Sequence, residues 1–550
     1  MTPCFATLKR RMLTVTLALF LAQQWLGSAE AVAAGIVPAP NAPAANHPLT
    51  DTARNGVPIV DIAPPSAAGV SNNQYSQFNT ASNGAILNNS TGNVQTQLGG
   101  WISGNPLLGS TPAKVILNQV TSGNPSQLLG ALEVAGQAAD VVVANPAGIA
   151  CNGCSFINTP HATLTTGIPE FDAAGNLRGF NVTQGVIDVG AAGLDAQQAE
   201  RLDLDARGLT AEGGIWAHQL GVVAGAADVP YGSTQASAQA GAGSAPEFAV
   251  DVAALGGMYA DTIDLVATDA GLGVNSQGRL AALQGNLRLA ANGKLTLADT
   301  SAAGNVQLSG TDASLGGTTG STGGAVQVGV SGTLSNSGQV LAAGDVRMQA
   351  GELTNTGSVQ ADGALDASAG AGLDNAGGKL QAAGNLDLTA ATLDNDGGTL
   401  ASGAAASLSA AQGLSNQGGT ISSVGPLVVD AGSASLNNAS GTLASAGAAS
   451  VTAGTLSNAH GTIAAASDLG ITSAALDDTG GKLQSAGNLS LNTQGQALDN
   501  TTGRIEAAGT LGVRSGDLVN SGGILASGGD QSLNVAGNLS GAGGSIAAQG

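Results

Sequence analysis

Over the second half of the chain, apolar residues alternate with polar ones in short runs and then break at glycine. The stretch GGKLQAAGNLDLTAATLDN, residues 377–395, shows the pattern. Leu380 and Ala382 flank Gln381, Leu386, Leu388 and Ala390 alternate with Asp387 and Thr389, and Leu393 and Asn395 flank Asp394. A period of two predicts short strands with one buried side. A period of 3.6 is absent, and glycine is too frequent for helix. The unit predicts three short strands joined by Gly- or Ala-containing corners.

The unit repeats. An L-x-N-like signal recurs at Leu334, Leu353, Leu373, Leu393, Leu414, Leu436, Leu456, Leu476, Leu498, Leu518 and Leu539, at spacings of 19 to 22 residues. A period near 20 residues is the mark of a solenoid. Three strands per repeat, stacked coil on coil, predict an all-β chain folded as a right-handed parallel β-helix. Each coil buries its Leu and Ala against its neighbours. The recurring Asn355, Asn375, Asn395 and Asn416 are placed to form an amide ladder at one corner. A leucine-rich repeat needs a denser L-x-x-L-x-L spacing than these units have. The final GGSIAAQG stops inside a unit with no polar cap, and an open edge invites aggregation; the chain is expected to be part of a longer rod.

Composition divides the chain. Every Phe, Tyr and Trp lies at or before Tyr259, and Pro426 is the sole proline after Pro246. This places an aromatic-containing domain over 35–285 and a stalk over 286–550. Before them, residues 1–34 read as a secretory signal: Lys9, Arg10 and Arg11, then the apolar MLTVTLALFLAQQWLG, then SAEAVAAG for cleavage. Charged residues are 10% of the chain and the net charge is -21 with 16 basic residues, a balance that repels nucleic acid. Trp101 and Trp216 are expected to fill the wider N-terminal core. Asp251, Asp261, Asp264 and Asp269 are dispersed at strand-and-turn spacing and read as solvated. No nucleotide-binding or calcium-repeat motif occurs. The reading is a non-enzymatic chain without cofactors.

One stretch, ANPAGIACNGC, concentrates the remaining chemistry. Asn145, Pro146 and Gly148 occupy positions i, i+1 and i+3 of a type I turn. The turn ends the apolar run Val141–Ala144 and leads through Ala147 into Ile149. Cys151 and Cys154 are the cysteines left once Cys4 departs with the signal. Zinc needs four ligands, and beyond the nearby His161 no second pair exists. In an exported chain a disulfide is the natural product, stapling the turn after Ile149. Free thiols, or a redox or metal role, stand as alternatives.

Several stretches resemble a known family: GVPIVDIAPPSAAGVSNNQYSQFN (56–79), TQLGGWISGNPLLG (96–109), the run 113–167, GIWAHQLGVVAGA (214–226) and FAVDVAALGGMYADTIDLVATDAGLGV (248–274). They look like the secretion domain of the two-partner-secretion exoproteins, which include filamentous haemagglutinins, contact-dependent growth-inhibition toxins and haemolysins. The repeats resemble haemagglutinin repeats. The resemblance implies entry to the periplasm and recognition there by periplasmic domains of a dedicated outer-membrane β-barrel transporter. The chain then crosses unfolded and folds outside, secreted or on the surface of a Gram-negative bacterium. Two family motifs tied to this step map here. Asn-Pro-Asn-Leu falls on Asn105, Pro106, Leu107 and Leu108; Asn-Pro-Asn-Gly-Ile falls on Asn145, Pro146, Ala147, Gly148 and Ile149. Both depart at the third position, so no role for a second Asn side chain is implied.

The resemblance leaves several functions open. A filamentous adhesin binding a host or target-cell receptor is the first reading. A toxin-delivery rod or a haemolysin with its effector beyond residue 550 is the alternative. An enzyme would need a carboxylate groove, which the sequence does not offer.

Overall fold

The computed structural model describes residues 35–550; the expected signal, 1–34, lies outside the described residues. The alternating runs become a three-sided coil that repeats from Val70 onward. On the first side, Val70–Phe78, Val115–Val120, Asp140–Ala144, His161–Thr165, Arg201–Ala206, Gln219–Ala224 and Thr262–Ala267 stack in parallel. The second side carries Ser126–Leu128, Ile149–Cys151, Val186–Val189 and Gly208–Ala211. The third stacks Pro58–Asp61, Ala85–Asn89, Ala131–Gly136 and Cys154–Ile157. The third side forms a 22-stranded sheet, and the other two join as one 35-stranded sheet because strands such as Leu365–Asp374 run through the corner. Among the described residues, helix is limited to Ala44–Asn46. The fold is the expected parallel β-solenoid.

Register explains the leucine periodicity. Leu380 pairs with Leu400, Leu400 with Ile421, and Ile421 with Leu443. Each apolar side chain thus rests on its counterpart one coil away, and Leu380, Leu386, Leu388 and Leu393 are all at most 2% exposed. A fully buried Leu contributes about 1.5–3 kcal/mol, which one coil alone could not realise.

The asparagines form the ladder. Asn336, Asn355, Asn375, Asn395, Asn416, Asn438 and Asn458 each donate from Nδ2 to the Oδ1 of the next coil's rung at 2.6–2.8 Å. The ladder also accounts for the Gly-Gly pairs. Gly377, Gly397 and Gly418 have φ of +67°, +62° and +63°, a left-handed turn. The glycine that follows has no room for a side chain: a Cβ on Gly398 would lie 2.2 Å from Asn375 O and 2.6 Å from Asn395 Oδ1. Where the first glycine is replaced, by Ser440, His460 or Thr502, the positive φ persists, while the second position remains Gly441, Gly461 or Gly503.

Two additions lie outside the coil. Val94–Thr96 and Gly100–Ile102 make a hairpin, and Ile168–Phe171, Leu177–Val182, Ala227–Pro230 and Ser237–Ala238 make a four-stranded antiparallel sheet. The sheet packs Phe180, Val182 and Val229 onto Leu117, Val142 and Val223 of the first side. This explains the unbroken VVVA run: Val141 and Val143 face the coil interior, and Val142 faces the added sheet. A strand buried on both faces loses its alternation.

The tryptophans do not fill the core as expected. Trp101 is 70% exposed on the hairpin and Trp216 is 39% exposed. Trp216 stacks instead on Tyr259 of the next coil, with ring centroids 4.3 Å apart. Tyr75, Phe78 and Phe156 occupy the interior, where smaller aromatic rings fit between the strands.

Candidate functional site

The Asn-Pro stretch is the corner between the first-side strand Asp140–Ala144 and the second-side strand Ile149–Cys151. Asn145 is fully buried, and every polar group of its side chain is used. Its Nδ2 donates to Asn124 O at 2.9 Å and to Ser126 Oγ at 3.0 Å, in the coil beneath. Its Oδ1 accepts the Ala147 N–H at 3.0 Å, and its carbonyl accepts the Gly148 N–H at 3.0 Å. Its own N–H donates to Thr165 O in the coil above at 2.9 Å. One residue therefore closes the turn and joins three coils. Gly148 has φ +121°, and a Cβ there would lie 3.1 Å from Val186 O. Pro146 and Ala147 are half-buried and Ile149 is core.

Asn105 closes a turn elsewhere and joins its own coil to the one beneath. It lies between the third-side strand Ala85–Asn89 and the first-side strand Val115–Val120, just after the added hairpin. Its Nδ2 donates to Ile62 O and Asn88 O, both at 2.9 Å, and its Oδ1 accepts the Leu107 N–H at 2.8 Å. Pro106 is exposed, Leu107 half-buried and Leu108 buried in the core. In both motifs the third residue contributes its backbone N–H. That role tolerates Leu107 and Ala147 in place of a second Asn.

Cys151 and Cys154 are disulfide-bonded with Cα atoms 5.5 Å apart. They close the corner between the second-side strand Ile149–Cys151 and the third-side strand Cys154–Ile157. Both are core residues, at 0% and 2% exposure. The three features occupy three different corners. The second motif and the disulfide flank one three-residue strand, while Asn105 belongs to an earlier coil.

Residues 34–297 match the family model of the TPS secretion domain, and 341–418, 422–493 and 484–550 match the haemagglutinin repeat. The chain belongs to the two-partner-secretion exoproteins. Such proteins are secreted or cell-surface proteins of Gram-negative bacteria. The chain is similar to "16S rRNA endonuclease CdiA" of Enterobacter cloacae, 46% identical over 308 residues, covering 56% of this chain and 9% of that protein. It is 48% identical over 269 residues to "Toxin CdiA" of Escherichia coli, covering 48% and 8%. To "tRNA nuclease CdiA-2" of Burkholderia pseudomallei it is 47% identical over 272 residues, covering 48% and 9%. It thus spans less than a tenth of the length of these relatives. A filamentous hemagglutinin secretion domain crystal structure overlays at TM-score 0.44 with 28% identity, covering 65% of this chain and 99% of that one.

Within this two-partner-secretion chain, sequence reasoning missed several buried polar residues. Glu133 is 4% exposed and accepts the Gln97 and Leu98 N–H groups at 2.6 and 2.7 Å, pinning the hairpin to the third side. A lone carboxylate inside the apolar ALEVAG is the signal for it, since a buried charge requires partners. Asn89 bonds Ala113 and Gln137, marked only by Asn-Asn at the end of an apolar run. Asp269, read as solvated, pairs with Arg207 at 3.3 Å and accepts the Ala226 N–H at 2.7 Å.

Beneath the four-stranded sheet, His161 Nε2 meets Asp203 Oδ2 at 2.8 Å, and Tyr231 donates to Asp140 Oδ2 at 3.0 Å. Arg201 Nε contacts both Asp203 oxygens at 2.9 Å, and the His161 and Tyr231 rings stack. Burial pushes the Asp140 and Asp205 carboxyls above the ordinary range. A hydrolytic relay needs carboxylate and nucleophile on opposite imidazole nitrogens. Here Asp203 and the Thr163 hydroxyl address the same Nε2. The cluster anchors the added sheet to the coil. Among the described residues no group of three or more His, Cys, Asp or Glu is placed to hold a metal.

Proposed function

We propose that this chain is the export and presentation segment of a toxin-delivery protein acting between cells in contact. The observation that carries the reading is the 46–48% identity to CdiA toxins over 269 to 308 residues. The proposed organisation is a cleaved signal over 1–34, a secretion domain over 35–285 and a presenting stalk over 286–550, with the effector beyond. The partner is an outer-membrane β-barrel with periplasmic recognition domains. The buried state of Asn105 and Asn145 supports a specific division of labour: the transporter meets these motifs in the unfolded chain, and outside the cell they become corners. Each completed coil templates the next, which biases transit outward. A four-residue disulfide loop is compatible with threading a narrow pore.

The haemagglutinin repeats favour a second reading, an adhesive filament with a host-surface receptor. Growth competition separates the two. Mixed with susceptible cells, producers of the full-length protein are expected to inhibit them only in contact, and deletion of residues 35–297 should abolish this. Adherence to host cells without any inhibition would favour the adhesin.

A further inference from the structure

The asparagine ladder changes chemistry at one rung. Asn458 Nδ2 donates to Asp478 Oδ1 at 2.6 Å, and the ladder resumes where Asn500 Nδ2 donates to Asn520 Oδ1 at 2.6 Å. Asp477 is in register with Asp499, so Asp478 and Asn500 are successive rungs. Yet Asp478 Oδ2 and Asn500 Oδ1 are both buried without a partner. The missing bond is in the ordinary place. A Cβ on Gly461 would lie 2.6 Å from Asn458 Oδ1 and 3.0 Å from Asn438 Nδ2; on Gly503 it would lie 2.5 Å from Asn500 Oδ1 and 3.2 Å from Asp478 Oδ2. Asp478 Oδ2 therefore stands where every other rung has its amide donor. Asn336 Oδ1 is also unpartnered, but the residue in register beneath it is Leu315.

We propose that Asp478 is a proton-binding rung: as the neutral acid it donates Oδ2–H to Asn500 Oδ1 and completes the ladder, and loss of that proton loosens the stalk at this corner. A neutral carboxyl offers one donor and one acceptor edge, as an amide does; a carboxylate only accepts. Ionised, Asp478 sets two buried acceptors against each other, which costs far more than a missing bond on the surface. Burial pushes the carboxyl up to about 8, against the lowering bond from Asn458 and aided by the charge of Asp477. The other titratable groups around the corner are Asp499 above and His460, whose Nδ1 would lie 2.6 Å from a Cβ on Gly480. Lys482 and Arg504 start the adjoining third-side strands, Arg504 being paired with Glu506. None bonds Oδ2.

The sign follows from linkage. The folded group holds its proton more tightly than the opened one, so the stabilisation is full below the ordinary carboxyl pKa near 3.9 and is lost as pH rises toward the folded value. The test compares the full chain with Asp478→Asn, and with His460→Gln as a control for histidine titration. Infrared difference spectra, wild type minus Asp478→Asn, should show a neutral-acid carbonyl band at pH 6 that vanishes with a midpoint near 8. Hydrogen exchange over 498–524, corrected for intrinsic rates, should show wild-type opening rising by up to about tenfold per pH unit relative to Asp478→Asn between pH 4 and 8, then levelling. His460→Gln should leave that ratio unchanged. A carboxylate band at pH 6, a pH-independent ratio, or failure of Asp478→Asn to fold would each overturn the proposal.

Discussion

Replacing Asn145 by Ala removes two donated bonds, to Asn124 O and Ser126 Oγ, and one accepted from Ala147. At about 1 kcal/mol net each, the three bonds come to about 3 kcal/mol. Asn124 is exposed, so water replaces its lost partner, but Ser126 is fully buried. Its orphaned hydroxyl adds a cost of about 1 kcal/mol or more. The expected loss is about 3–4 kcal/mol, concentrated in the coils of Val115–Val120, Asp140–Ala144 and His161–Thr165. A solenoid need not unfold as one unit, so hydrogen exchange is the suitable assay. Amides of those strands should lose roughly 100-fold or more in protection, while the stalk is unaffected. Ala147→Asn, which restores the family residue but keeps the same backbone N–H, should change protection less than about threefold, a surface-substitution effect. Unchanged protection in Asn145→Ala, or an equal loss in Ala147→Asn, would refute the turn-clamp account.

Other outcomes follow from the same geometry. Gly148→Ala, at φ +121° and facing Val186 O, should cost about 1–3 kcal/mol in denaturant titration of the secretion domain. Replacing Cys151 and Cys154 with Ala should cost about 2 kcal/mol for a loop this short; Ser at both should cost more, because two hydroxyls would enter the core, and protease resistance at graded denaturant distinguishes the pairs. Asn395→Ala removes the bond from Asn375 Nδ2, which keeps Gly378 O and Thr399 O, and strands Asn416 Oδ1; it should cost about 2–4 kcal/mol, with exchange protection lost only in neighbouring coils.

The stalk was legible because stacking returns each sequence position to the same place. Leu380, Leu400 and Ile421 share one environment, so a 20-residue period reports their burial directly. Asn355 to Asn416 were legible as a ladder for the same reason. The added hairpin and sheet do not repeat, and their strands look like coil strands in sequence. Only the loss of alternation at Val141–Val143 hinted at a second buried surface. Trp101 and Trp216 were misplaced because size and hydrophobicity do not say which side of a thin coil a ring occupies. The Asn145 turn could be read from Asn-Pro-x-Gly, but its bonds to Asn124 and Ser126 depend on the coil beneath. For Asn105 the partners lie 43 and 17 residues away, at Ile62 and Asn88. Asp478 sits in a unit that shares the L-x-N-like pattern, and only the unpartnered oxygens set it apart.

Transit through a dedicated outer-membrane partner is the central claim. The direct measurement is surface appearance of the full-length protein in cells with and without that partner, followed by protease added outside intact cells. A surface rod whose coils resist the added protease is expected only when the partner is present, with periplasmic accumulation or degradation without it. Equal surface display in the two strains would contradict it.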